Sequence, residues 1–258
     1  MSPFHLVEIS PWPLLVSSLL LGLLLRLVVF FKRGSTRLCF FNLGVFLLVL
    51  FLWWRDVDRE VVYRGAHTSF VQNRHKVGFI LFIRREIMFF FRFFWRFFHN
   101  SLSPDIIVGC MWPPLGITPL NTFQVPLLNT AILLLSGVSV TWCHHRLTGN
   151  IHKQARVSLL LTVFLGFFFV LLQGLEYFEA PFSLADGIYG CTFFLLTGFH
   201  GLHVLVGGII LRVSFIRLIK IIISSNHHLG ILFSIWYWHF VDVVWLFLFV
   251  CIYWWARL

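Results

Sequence analysis

Seven long runs of mostly apolar residues constrain this chain more than any other feature. They lie at roughly 14–31, 38–54, 78–98, 124–145, 157–176, 188–211 and 232–255. Each is long enough, or nearly so, to cross about 30 Å of hydrocarbon as an α-helix. Only helices and closed barrels satisfy every backbone group in lipid, and runs of this length are too long for barrel strands. The pattern predicts an all-α, polytopic membrane bundle of seven transmembrane helices. No internal repeat and no low-complexity linker divides residues 1–258, so one domain is the economical reading.

Composition removes the other classes. Charged residues make up 12% of the 258, about half the roughly 25% of soluble domains, which is too few to coat a water-exposed surface. The net charge of +10 raises nucleic acid as a partner, but the basic residues fall mainly between the apolar runs. That placement is a topology signal, not a phosphate-binding face, and no nucleic-acid partner is expected. The five cysteines, at 39, 110, 143, 191 and 251, include no CxxC pair and read as small hydrophobes. Phe is heavily used, with 32 residues against 3 Met, as suits an AT-biased genome. Met1 to Pro13 carries no Lys or Arg, so neither a secretory n-region nor an Arg-rich transit peptide is expected there.

The basic residues orient the bundle. On the side of the N-terminus stand Arg55, Arg59, Arg64, Arg74, Lys76, Arg146, Lys153, Arg156, Arg212, Arg217 and Lys220. The opposite side carries Lys32, Arg33, Arg37 and Arg257. The count of 11 against 4 predicts that the N-terminus lies on the cytoplasmic or matrix side, with the C-terminus across the membrane. The loop after the fifth run reads as acidic, through Glu176, Glu179 and Asp186.

Ionisable groups inside a span are costly and are functional candidates by default. Glu86 sits in the third run. His200 and His203 share a face of the sixth, and His239 and Asp242 share a face of the seventh. A metal centre needs three or four converging ligands, and i,i+3 pairs supply two, so no metal is expected. For the histidines and Asp242 the reading is hydrogen bonding between helices. For Glu86 two readings stand: a carboxyl stabilised by neighbours or lipid headgroups, and a proton-responsive or lipid-contacting acid. No GxSxG, phosphate loop or haem-attachment CxxCH occurs, so no catalytic residue is assigned.

Several long strings carry a resemblance. They are WWRDVDRE at 53–60, WPPLGITPLNTFQVPLLNT at 112–130 and SGVSVTWCHH at 136–145, then EYFEAPFSLADGIYG at 176–190, FFLLTGFHGLHVLVGG at 193–208 and HHLGILFSIWYWHFVDVVWLFLFVCIYWW at 227–255. In order and over nearly the whole chain, they resemble subunit III of the haem–copper cytochrome c oxidases, mitochondrial type. The resemblance implies a bundle whose first two helices are separated from helices three to seven by a lipid-filled cleft. It implies no haem or copper in this chain: those centres belong to subunits I and II, which pass electrons from cytochrome c to oxygen. It further implies structural phospholipids, accessory subunits as partners, the mitochondrial inner membrane, and a role in stabilising the catalytic subunit and supporting proton uptake. Residue by residue, Glu86 matches the family's membrane-embedded acid. Trp54, Arg59, His67, Arg217 and His227 match positions that resemble lipid-headgroup contacts along the cleft. Other functions weighed are an independent transporter or proton channel, a lipid-acting intramembrane enzyme and a bacterial quinol oxidase subunit. The first lacks the matched Gly/Pro helix breaks of transporters, and the second lacks a nucleophile or metal triad.

The third run departs from the family. Its IRREIMFFFRFFWRFF segment carries Arg84, Arg85, Arg92 and Arg96, where the family has small or uncharged residues. Arg85, Arg92 and Arg96 line one helical stripe. Three explanations compete: a lipid phosphate or acidic subunit facing the stripe, an Arg85–Glu86 pair, and transcript editing that replaces some arginines by smaller residues. The third is favoured, because close helix packing in lipid wants small residues.

Overall fold

The computed structural model describes residues 9–34, 37–65, 68–106, 109–220 and 228–257, and every regular element among them is helical. In order these are α1 (Trp12–Arg33), α2 (Arg37–Arg64), α3 (Ser69–Leu102), α4 (Val125–Thr148), α5 (His152–Glu179), α6 (Gly187–Ile219) and α7 (Leu229–Leu248). A π-helical turn, Phe249–Trp254, and a 3₁₀ turn, Trp255–Arg257, continue α7. The helices, with the turns that continue α7, cover the predicted apolar runs to within a residue and mostly outlast them, because polar flanks such as RDVDREVVYR in α2 and SFVQNRHK in α3 continue the helix.

Six of the described helical segments are long and apolar enough to cross a membrane: Trp12–Lys32, Arg37–Val61, Val125–Thr148, His152–Glu179, Gly187–Ile219 and Leu229–Trp254. The chain is therefore a multi-pass membrane protein. The sequence reading expects a seventh crossing in α3. At 34 residues α3 has the length, but Arg84, Arg85, Glu86, Arg92 and Arg96 leave it too charged to qualify.

The chain divides into two compact units, Met1–His75 and Lys76–Leu258. In the first, α1 and α2 form a pair. Pro13 near the start of α1 suits the first helical turn, whose leading N–H groups have no partner within the helix. Gly34 ends α1 in the left-handed region (φ 68°), its N–H donating to the Phe30 carbonyl. Three side chains tie the pair together. Trp12 Nε1 donates to Asp56 Oδ2 (3.0 Å), Asn42 Nδ2 to the Leu19 carbonyl (3.5 Å) and Arg26 Nη1 to the Leu38 carbonyl (3.4 Å).

The second unit packs α4–α7 around the buried indole of Trp238. Gly166 of α5 and Gly207 of α6 stand against its ring. A Cβ at Gly166 would lie 2.5 Å from Cη2, and one at Gly207 3.0 Å from Cε3. No Cβ fits at Gly166 unless the indole moves, and one at Gly207 would press on it tightly. The indole N–H donates to Ser136 Oγ of α4 (2.8 Å), so four helices meet at one residue. Small hydroxyls join the others: Ser139 with Thr162 (2.7 Å), Ser214 with Ser234 (2.8 Å), Trp245 Nε1 to Thr130 (3.0 Å) and Tyr177 to Thr197 (2.6 Å). In lipid the apolar effect between helices is small, so close packing and such bonds hold a bundle together. Ring contacts attach α3, including Phe79 stacked on Phe233 (4.5 Å) and Phe89 edge-on to Phe199 (5.0 Å). All five cysteines are free; Cys143 is buried and Cys110 exposed.

Candidate functional site: a shared-proton pair between α3 and α6

Glu86 lies on α3 and His203 on α6. The rings of Phe89, Phe90, Tyr237 and Phe240 surround the imidazole, with centroids 5.0–6.3 Å away. His203 Nδ1 stands 2.7 Å from the Phe199 carbonyl, one turn back. A carbonyl only accepts, so Nδ1 carries a proton. His203 Nε2 stands 3.2 Å from Glu86 Oε2. That bond needs one proton between the two atoms: an imidazolium facing a carboxylate, or a carboxylic acid facing a neutral ring. Losing that proton turns the contact into two opposed lone pairs. The contact therefore places a single proton between α3 and α6.

Glu86 has a second face. Its Oε1 accepts from Arg85 Nη2 (3.0 Å) and Nε (3.3 Å). The Arg85 side chain is 73% exposed and that of Glu86 14%. One carboxyl oxygen thus points inward to an aromatic-walled imidazole and the other to an outward-facing cation. Arg84, Arg92 and Arg96 share the exposed side of α3 with Arg85, and Arg92 and Arg96 form no ion pair among the described residues.

The other polar candidates go to different neighbours. His200, one turn from His203, is buried; its Nε2–H donates to the Val241 carbonyl of α7 (3.2 Å), and its ring packs on Phe169 and Trp245. Although the two histidines lie on one side of α6, they serve separate contacts. His239 and Asp242 approach to 3.8 Å, beyond hydrogen-bond range, while His239 Nε2 meets Thr141 of α4 at 3.2 Å. Trp54 is exposed on α2, and Arg59 stands 3.8 Å from Asp56, both in the first unit. Arg217 closes α6 in the second unit. His67 and His227 lie outside the described residues. No group of three or more His, Cys, Asp or Glu converges to hold a metal ion among the described residues.

A buried carboxyl corrects the sequence reading. Glu176, expected in an acidic loop, is inside α5 and buried. The Tyr253 hydroxyl donates to its Oε1 (2.6 Å), as does Gln173 Nε2 (3.1 Å). Asn129 Nδ2 in turn reaches Gln173 Oε1 at 3.5 Å. The i,i+3 spacing of Gln173 and Glu176 was the one local signal of this network.

A model of the family described as cytochrome c oxidase subunit III matches residues 2–257. Proteins named cytochrome c oxidase subunit 3 are similar over nearly full length. That of Heterololigo bleekeri is 53% identical over 255 residues, 99% of this chain and 98% of its own. That of Pisaster ochraceus is 54% identical over 256, covering 98% of each. That of Myxine glutinosa is 51% identical over 256, covering 99% of this chain and 98% of its own. About half of all positions agree over nearly the full length, so the chain belongs to the cytochrome c oxidase subunit III family.

Proposed function

We propose that this chain is a core subunit of respiratory complex IV that carries no redox centre itself. It stabilises the catalytic subunit and supports proton uptake while electrons pass from cytochrome c to oxygen. Haem and copper reside in subunits I and II. The chain works in the mitochondrial inner membrane with its N-terminus on the matrix side, and α3 makes the seventh crossing. Phospholipid fills a cleft between the first two helices and the other five, with Trp54, Arg59, His67, Arg217 and His227 as headgroup contacts. Arg suits phosphate by paired N–H donors, and Trp anchors at the interface.

The observation that carries the proton-linked part is the Glu86–His203 bond. It holds one proton in an apolar setting, with Arg85 as the carboxyl's outward contact. The test is to strip this chain from the purified oxidase. The haem spectrum should persist while turnover declines with time and proton uptake slows. Unchanged proton uptake and unchanged endurance would contradict the proposal. An independent channel would instead conduct protons when this chain alone is placed in vesicles.

A further inference from the structure

Glu176 is 3% exposed and stands three residues before the end of the His152–Glu179 span, roughly 5 Å below it. Its cluster draws on the matching ends of two other spans, Asn129 from Val125–Thr148 and Tyr253 from Leu229–Trp254. Tyr253 belongs to the π-helical turn that continues α7, a rare geometry that recurs at functional sites. Its carbonyl accepts from the buried Thr122 Oγ1 (2.8 Å). Its hydroxyl accepts from Gln173 Nε2 (3.3 Å) and donates to Glu176 Oε1 (2.6 Å). Gln173 Nε2 also donates to Glu176 Oε1 (3.1 Å), so both donors to the carboxyl fall on one oxygen. Two oxygens of the cluster, Glu176 Oε2 and Asn129 Oδ1, are buried and have no partner among the described residues. No cation pairs with the carboxyl among those residues either. A carboxylate spreads its charge over both oxygens, and here one of them would face no donor at all. A neutral acid fits the donors that are present. Oε1 is then the carbonyl oxygen, with one donor for each lone pair, and Oε2 is the hydroxyl, which supplies a donor that the cluster lacks.

We propose that Glu176 carries a proton on Oε2 and works as a proton-operated clasp. The neutral acid holds the turn at the end of α7 against α5, and ionisation releases it. The proton comes from water at the nearby membrane face and returns there, with no other bond made or broken. The titratable groups that face the carboxyl are the phenols of Tyr253 in the turn and Tyr177 in α5. The other packed elements bring neutral side chains: Asn129 from α4 through Gln173, and Thr197 and Phe193 from α6 through the two phenols. Nothing in the cluster therefore compensates a negative charge. A buried charge without a partner is costly, and opening the Tyr253 contact to water relieves it. This site is separate from the Glu86–His203 bond, which joins α3 to α6.

The experiment compares the protein, purified with its natural partners in mild detergent, with Glu176→Gln and Tyr253→Phe. Glu176→Gln keeps the shape and is neutral at every pH, and Tyr253→Phe keeps the acid but removes one donor from its carbonyl. The infrared spectrum at neutral pH should show the carbonyl band of a protonated carboxyl. Glu176→Gln should abolish that band, and Tyr253→Phe should move it to higher frequency. Deuterium exchange over residues 249–257, read by mass spectrometry, reports the clasp. Exchange should be equal in the unaltered protein and Glu176→Gln at acidic pH, and several-fold faster in the unaltered protein at alkaline pH. A carboxyl band that responds to neither variant would overturn the inference, and so would equal exchange at alkaline pH. If Glu176→Gln does not assemble, the band in Tyr253→Phe decides: a shift supports the protonated acid, and an unmoved spectrum overturns it. None of these outcomes bears on which complex the chain serves.

Discussion

At Glu86 and His203 one proton is shared across a partly buried bond among aromatic rings, and each residue depends on the other. His203→Ala leaves a largely enclosed carboxyl without its inner partner. Such a loss costs about 1–3 kcal/mol, so the purified complex should melt at a lower temperature. Glu86→Gln keeps the shape and removes the carboxyl, so it should slow proton uptake with little change in melting. Because the two residues share one bond, the double variant should be less destabilised than the sum of the single ones. Simple additivity, measured by thermal unfolding, would mean that the bond does not couple them. A parallel argument applies to Tyr253→Phe. It strips the 2.6 Å donor from Glu176 and should also cost about 1–3 kcal/mol in the same assay.

Among the helices, α5 offers a contrast within one element. Gly166 meets Trp238, while a Cβ at Gly174 would meet nothing within 4 Å. Gly166→Ala forces the indole away from Ser136 and should destabilise by about 1–3 kcal/mol, as overpacking does. Gly174→Ala should be neutral or stabilising by up to about 1 kcal/mol, since Ala suits a helix interior better. Equal effects in a thermal melt would contradict the packing account. The other element that invites measurement is α3. Its charges between residues 77 and 98 are Arg84, Arg85, Glu86, Arg92 and Arg96, and they alone separate it from the six spanning helices. Peptide mass spectrometry of the mature protein is expected to find small residues at 92 and 96. Tryptic cleavage after both positions would show the arginines to be real, and an acidic or phosphate partner would then be required along that face.

Across the whole molecule, the helices were legible because a bilayer demands runs of about 20 apolar residues and little else mimics them. The limits of that signal show in α3, whose 78–98 run reads as a span although its charges keep the 34-residue helix from qualifying as a membrane crossing. Glu86 stood out as an acid in an apolar run, but its partner lies 117 residues away and could not be read from spacing. Glu176 was misplaced for the same reason, since Tyr253 is 77 residues distant and only the folded chain brings it near. His200 and His203 illustrate a subtler limit. One helical turn keeps them on one side of α6, yet their polar contacts go to different helices, α7 for His200 and α3 for His203. The most direct test of the central claim is affinity purification through this chain in mild detergent, with an optical spectrum and peptide masses from the same sample. A reduced haem a band, with subunits I and II present, is the predicted result. A haem-free preparation lacking those subunits would contradict it.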